Sequence, residues 1–295
     1  MKKTFVVLVV TVLALSACGG GDSPSVAADS SPTTSTIAAT TYDHIVSTSP
    51  TATETLFAIG AGNQVVAVDD QSTYPADAPK TKLSSYQPNV EAIAKYDPDL
   101  VVSSSDDPDL VNGLDKLGID VLVQKAAVEI DDVFTQLTEL GDKTGHGNEA
   151  RALASKMRNE LTTVKEASVD RKKLTAYWEL DPTYYSVTSA TFIGKLLAFA
   201  GVTTIADAAK SDVKDYPQLS SEYIVSADPD LVFLADTKCC QQSATTLAGR
   251  AGWNGMKAVK AANVVALDDD IASRWGPRIV DLLQAINASA EKAAA

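Results

Sequence analysis

The sequence predicts an α/β fold of two lobes, each built on a parallel sheet, with one long α-helix joining them. Three observations carry this. One helix–turn–strand module occurs twice, as NVEAIAKYDPDLVV from Asn89 to Val102 and as LSSEYIVSADPDLVF from Leu219 to Phe233. Around each copy, short apolar runs alternate with amphipathic stretches, the pattern of parallel strands linked by helical crossovers. Between the copies lies a stretch from Ile130 to about Ala167 that is helical throughout, broken only at Gly145-His146-Gly147.

Within the module a glutamate, Glu91 or Glu222, stands six residues before an Asp-Pro-Asp-Leu-Val unit. Glu91, Ile93 and Ala94, like Glu222, Ile224 and Val225, fit one turn or two of amphipathic helix. The Asp-Pro step ends that helix, because the residue before proline avoids the helical region. Leu100 to Val102 and Leu231 to Phe233 then read as buried strands. Each lobe thus carries the same acidic knob. A third Asp-Pro-Asp-Leu-Val, from Asp107, lacks the glutamate and reads as a helix start.

In chain order, residues 1–17 read as a signal peptide: Lys2 and Lys3, then an apolar run from Phe5 to Leu15. That run is shorter than the roughly 20 residues a bilayer span needs. Leu15-Ser16-Ala17-Cys18 resembles a bacterial lipobox, which predicts a lipid on Cys18. Residues 18–42 are Gly, Ser, Thr, Ala and Pro with few bulky apolar residues, a composition that does not fold.

The first lobe is placed at residues 43–146. Asp43 to Ser47 reads as a strand, followed by a helix with Ser49 as cap and Pro50 in its first turn. Val65 to Val68 is the next strand. After the Glu91 module come a helix from Asp109 to Leu117 and a strand from Ile119 to Val123. Ligands in such sheets sit beyond the carboxyl ends of the strands, where the loops carry Asp69, Asp70, Tyr74, Ser84, Tyr86 and Ser103 to Ser105.

The connecting helix spans residues 147–170, with Asn148 as cap, and would be about 30 Å long. The second lobe fills residues 171–295. Its strands are placed at Leu174 to Leu180, Leu231 to Ala235 and Val264 to Leu267. Helices are placed at Ser189 to Ala200, at Trp253 to Val259 and beyond Arg278. Asp215-Tyr216-Pro217 precedes the Glu222 module as Tyr74-Pro75 precedes the Glu91 module. Asp268-Asp269-Asp270 reads as a solvated turn.

Composition excludes several functions. The formal charge is −13, and loss of Lys2 and Lys3 with the leader lowers it further. No basic stripe exists for nucleic acid. With His44 and His146 the only histidines, a bare zinc or manganese ion lacks its usual ligand cluster. No nucleophile elbow, phosphate loop or paired histidines point to catalysis. No catalytic residue, resident cofactor or metal ligand is assigned.

HIVSTSPTATETLFAIGAGNQVVAVDD, STYP, VEAIAKYDPDLVV, YPQLSSEYIVSADPDLVF and RWGPRIVD, in this order, resemble the periplasmic-type binding proteins of iron–siderophore, haem and cobalamin importers. The resemblance runs from about residue 43 to 290. It implies two Rossmann-like lobes, a ligand cleft between them, and an acidic residue on each lobe that docks to arginines of an ABC transporter permease. Glu91 and Glu222 fall at those positions, which the repeat had reached from spacing alone. The expected cargo is a metal–organic complex, an iron–siderophore or cobalamin before haem.

Tyr74, Tyr86, Tyr184, Tyr185, Tyr216 and Trp275 fall on loops at the lobe edges, where rings give broad contact at low entropic cost. Arg274 offers a planar fork to a polar ligand edge. Of these, Tyr74, Tyr86, Tyr184, Tyr216, Arg274 and Trp275 are taken as the ligand site. Cys239 and Cys240 are adjacent in an exported chain, where disulfides persist. They are read as a vicinal bridge, with two free thiols as the alternative. The expected protein is an extracytoplasmic, lipid-anchored monomer. A rival function is a tethered sensor or carrier that uses the same cleft without a permease.

Overall fold

The computed structural model describes residues 42–295. The signal peptide, Cys18 and all but the last residue of the tether lie outside the described residues. Tyr42, assigned to the tether from sequence, belongs to the fold: it is buried, and its hydroxyl donates to Asp120.

The N-terminal sheet contains β1 (Ile45–Thr48), β2 (Val65–Asp69), β3 (Lys80–Leu83), β4 (Leu100–Ser103) and β5 (Asp120–Val123), in the order β3-β2-β1-β4-β5. The C-terminal sheet contains β6 (Leu174–Glu179), β7 (Val202–Thr204), β8 (Leu231–Leu234) and β9 (Val264–Ala266), in the order β7-β6-β8-β9. All pairings are parallel. The second sheet repeats the first without its outermost strand. In both, the strand order reverses beside the first strand, between β1 and β4 and between β6 and β8.

The sequence reading missed β3 and β7. Both are edge strands, and neither is a buried apolar run: Lys80, Lys82 and Thr203 are exposed. The helix expected from Trp253 to Val259 is instead a 3-10 turn at Trp253–Gly255 followed by a helix at Lys257–Lys260.

The repeated module is a short helix, α2 (Val90–Ala94) in one lobe and α7 (Ser221–Ala227) in the other, capped by the side chains of Asn89 and Ser220. Its Asp-Pro-Asp unit does two jobs. Asp97 and Asp228 take left-handed φ values of 50° and 46°, turning the chain out of the helix. Asp99 then accepts from the backbone N–H of Asp43 and His44, and its own N–H donates to the His44 carbonyl. Asp230 does the same with Thr175: its carboxylate accepts from the Thr175 N–H and hydroxyl, and its N–H donates to the Thr175 carbonyl. Each second aspartate therefore straps the start of β4 or β8 to the start of the neighbouring central strand.

The connection is a helical pair, α4 (Ile130–Thr144) and α5 (Gly147–Ser168). The turn between them needs Gly145, which sits at φ 79°, a conformation that costs glycine little. Close packing of the pair needs Gly141, where a Cβ would meet Ala150 Cβ at 2.4 Å. The 22 residues of α5 make a rod of about 33 Å. It begins at Gly147, with His146 rather than Asn148 at the cap position. The last helix, α11 (Ile279–Ala294), packs on α5 and the C-terminal sheet. One continuous cluster of buried side chains runs from Ile45 and Leu100 through Leu137 and Leu161 to Trp178, Phe233 and Leu283. The lobes thus share a core rather than meeting across a loose hinge.

Candidate functional site

A cavity of about 330 Å³ opens between the lobes. On its N-terminal wall, Ser49, Pro50 and Thr51 follow β1, Gln71 follows β2, Ser85 and Tyr86 follow β3, and Ser104 follows β4. Four strands therefore deliver their carboxyl ends to one wall, with Ser49 and Ser104 flanking the point where strand order reverses. Crevices there are where open parallel sheets hold ligands. The opposite wall is the segment after β9: Asp270, Ser273, Arg274 and Trp275.

Tyr86, Arg274 and Trp275, three of the six expected ligand residues, meet in this cavity. Tyr86 is 82% exposed, the most of any large apolar or aromatic side chain described, so its ring stands at the mouth without a protein partner. Trp275 is half-buried and donates its indole N–H to Gln136. Tyr74 stands next to the cavity, beneath the Arg278 guanidinium at 4.3 Å. The other two do not line it. Tyr216 is exposed on the loop before α7. Tyr184 turns into its own lobe, where its ring centroid lies 5.6 Å from that of Trp253 and Arg250 sits over its face.

Arg274 is not the open fork that the sequence suggested. It is only 9% exposed, and its Nη1 donates to Glu54 at 2.6 Å. Its Nη2 donates to the Gln71 carbonyl and to Asp270, both at 2.8 Å. Arg278 also holds both oxygens of Glu54, and that bond raises its pKa. Glu54, on the helix Pro50–Ala58 (α1), is almost wholly buried. This network ties the two lobes at the back of the cleft. Sequence reading missed Glu54 and Arg278 as partners because the pairing spans more than two hundred residues. Ser49, Thr51, Gln71 and Ser85 were missed as lining residues, although each follows a strand.

Asp268, Asp269 and Asp270 are engaged rather than solvated. Lys238 bridges Asp268 and Asp270 at 2.7 and 2.9 Å. Asp269, on the short helix α10 (Asp269–Ala272), accepts from the backbone N–H groups of Thr237, Lys238 and Cys239. No group of three potential metal ligands occurs among the described residues. The expected vicinal bridge is absent: Cys239 and Cys240 are free thiols. Their Cα atoms are about 3.8 Å apart across a trans peptide, below the usual disulfide span. Burial, Cys240 and the Asp269 carboxylate also push the Cys239 thiol up to about 12, which suppresses the reactive thiolate.

The matching strand-end site of the C-terminal lobe, between β6 and β8, is filled. Glu179 ends β6 and pairs both oxygens with Arg250, at 2.5 and 2.6 Å. Burial opposes the charge on Arg250, but the Glu179 bond outweighs it and raises its pKa. Asp236, two residues past β8, is fully buried, and neither oxygen has a hydrogen-bond partner among the described residues. Burial, with Glu179 beside it, pushes its pKa up to about 7.

The module glutamates Glu91 and Glu222 are both exposed in the first turns of α2 and α7. A groove of about 810 Å³ along α4 and α5 is larger than the cleft. None of its lining residues belongs to a strand, and its Arg158 and Lys165 already cover Phe134 and Phe199.

Known proteins share this architecture. A family model described as periplasmic binding protein matches residues 45–271. The cobalamin-binding protein of Halobacterium salinarum is 31% identical over 248 residues, covering 81% of this chain and 67% of that one. The uncharacterised ABC transporter substrate-binding lipoprotein YvrC of Bacillus subtilis is 28% identical, covering 80% of this chain and 76% of its own. Among solved structures, a possible iron-binding (periplasmic solute-binding) protein of Staphylococcus epidermidis superposes with a TM-score of 0.71 at 25% identity, covering 85% of this chain and 99% of the other.

Proposed function

The chain belongs to the periplasmic binding protein family, whose members bind rather than catalyse, and we propose that it captures a metal–organic complex between its lobes and delivers it to an ABC importer. A corrinoid or an iron–siderophore is the favoured cargo, ahead of haem. The single observation that carries the reading is the interlobe cavity, where four strand ends of one lobe face Asp270, Arg274 and Trp275 of the other. Similarity to a cobalamin-binding relative across most of the chain supports the choice of cargo.

Such complexes are larger than the cavity, so part of the ligand lies at its mouth, against the open ring of Tyr86. Tyr74 and Tyr216 would flank it from the two lobes. Glu91 and Glu222 are the docking residues for the permease, presented alike on matched helices. A lipid on Cys18 holds the monomeric protein outside the cytoplasmic membrane. Among the described residues no helix is long and apolar enough to span that membrane.

Titration of the purified protein with cobalamin, ferric siderophores and haem tests the reading. Binding of at least one below about 10 µM, weakened by Tyr86→Ala, is expected. No binding by any of them would reject it. For the anchor, Cys18→Ala should move the protein from the membrane to the soluble fraction.

A further inference from the structure

We infer that the cleft selects uncharged or positively charged metal complexes over anionic ones, because the protein's own carboxylates already neutralise the basic side chains around it. The inference rests on the cleft being the ligand site and names the chemical class that this site takes.

Arg274 is the one basic residue lining the cavity among the described residues, and it is held between Glu54 and Asp270. Arg278, next to it, is also bound to Glu54. One buried carboxylate thus faces two guanidinium groups, and Asp270 supplies the second negative charge. Lys238 lies between Asp268 and Asp270. In the C-terminal lobe Arg250 is closed by Glu179, with the buried Asp236 in excess beside them.

An anionic ligand would therefore meet no free positive charge at the cavity wall. It would have to compete for the Arg274 guanidinium with Glu54, which is buried, and with Asp270, and a charge brought into so poorly solvated a site is costly unless it is paired. The repulsion from Asp270, at the cavity surface, would add to this cost.

What the cavity offers instead is neutral. The Gln71 amide and the hydroxyls of Ser85, Ser104 and Tyr86 have no hydrogen bond to another side chain or backbone group among the described residues, although their neighbours Ser84, Ser103 and Ser105 do. Both donors and acceptors are present in this set. They match a rim of amides or hydroxamates, such as a corrinoid or a neutral ferric tris-hydroxamate carries. They do not match the propionates of haem or the triple negative charge of a ferric tris-catecholate.

The test is a titration of the full folded protein with four probes at one fixed salt concentration: cyanocobalamin, a neutral ferric tris-hydroxamate, haemin and a ferric tris-catecholate. One of the first two should bind at least about 100-fold tighter than either anion, a gap of the size that uncompensated like charges produce. An anion that binds as tightly as the better neutral probe overturns the inference. Absence of binding by all four rejects the metal–organic cargo reading on which the inference rests, a separate result from a wrong charge preference. Asp270→Asn and Glu54→Gln each release guanidinium charge into the cavity. Either should raise the affinity for the anions relative to the neutral probes about tenfold, with marked salt dependence. Asp270 is partly exposed, so Asp270→Asn keeps the test open if Glu54→Gln fails to fold. Unchanged anion affinity in a folded variant also overturns the inference.

Discussion

The two lobes end their central strands in opposite ways. In the N-terminal lobe, β1 and β4 run out into Ser49 and Ser104, small hydroxyl residues that line an open cavity. In the C-terminal lobe, the equivalent β6 and β8 run out into Glu179 and Asp236, both fully buried, with Arg250 closing the space. The topology is shared, yet one crevice is a surface and the other is packed. By contrast, the Glu91 and Glu222 modules match down to the strap made by the second aspartate. The duplicated part of the fold is kept alike where a symmetric partner would touch it and made unlike where an asymmetric ligand would sit.

The sharpest way to break this comparison is to empty the filled crevice. Glu179→Ala leaves Arg250 buried and unpaired, which should cost about 3–5 kcal/mol, read as a lower urea midpoint at unchanged slope. Ser104→Ala, at the matching place in the other lobe, should change stability by less than about 0.5 kcal/mol. Comparable losses from both would erase the distinction.

Next in size is docking, where the lobes should behave alike. Glu91→Arg and Glu222→Arg should each lower uptake in cells about tenfold, as removal of one ion pair with added repulsion predicts. Ligand affinity should stay unchanged in both. Normal uptake by the double variant would remove the docking role.

A smaller effect separates Asp236 from ordinary carboxylates. Its folded pKa of about 7 lies above the value of about 4 expected in the unfolded chain. The folded state therefore holds a proton that the unfolded state has lost between these values, and stability falls as pH rises through that window. Asp236→Asn removes this slope. The variant should equal the wild type near pH 4 and melt higher at pH 8. A gap that does not widen with pH would assign Asp236 an ordinary structural role. The smallest change is Ser104→Ala in ligand binding, a loss of about 0.5–1.5 kcal/mol for one hydrogen bond, measured by titration.

What the sequence made legible was local. The Asp-Pro-Asp-Leu-Val unit with a glutamate six residues ahead of it reads the same in both lobes, so both modules, both central strands and the exposed glutamates followed from spacing. The Ser49 cap and the Pro50 helix start were equally local. The edge strands escaped because Lys80–Leu83 and Val202–Thr204 are mostly polar and owe their place to a neighbour, not to a hydrophobic run. Arg274 was visible as a cleft residue, but its pairing with Glu54 was not. A buried charge finds its partner through the fold, and no local pattern marks Glu54 as different from any glutamate in a first helix. The same holds for Glu179 and Arg250. Tyr184 looked like Tyr86, an aromatic on a loop, and only the position of Trp253 decides that it turns inward.

The aspartate straps have a mechanical consequence. Asp99 and Asp230 fasten each acidic helix to the innermost strand of its sheet, through a short proline turn with no slack loop between them. A pull on Glu91 or Glu222 is therefore delivered to the sheet as a whole, as through a rigid handle. With both handles bolted to their sheets, the distance between them gauges the relative tilt of the two lobes and little else. With one core continuous between the lobes, the molecule would act as a stiff calliper toward a receptor with two fixed sockets, which would tell a loaded cleft from an empty one by whether both jaws seat at once.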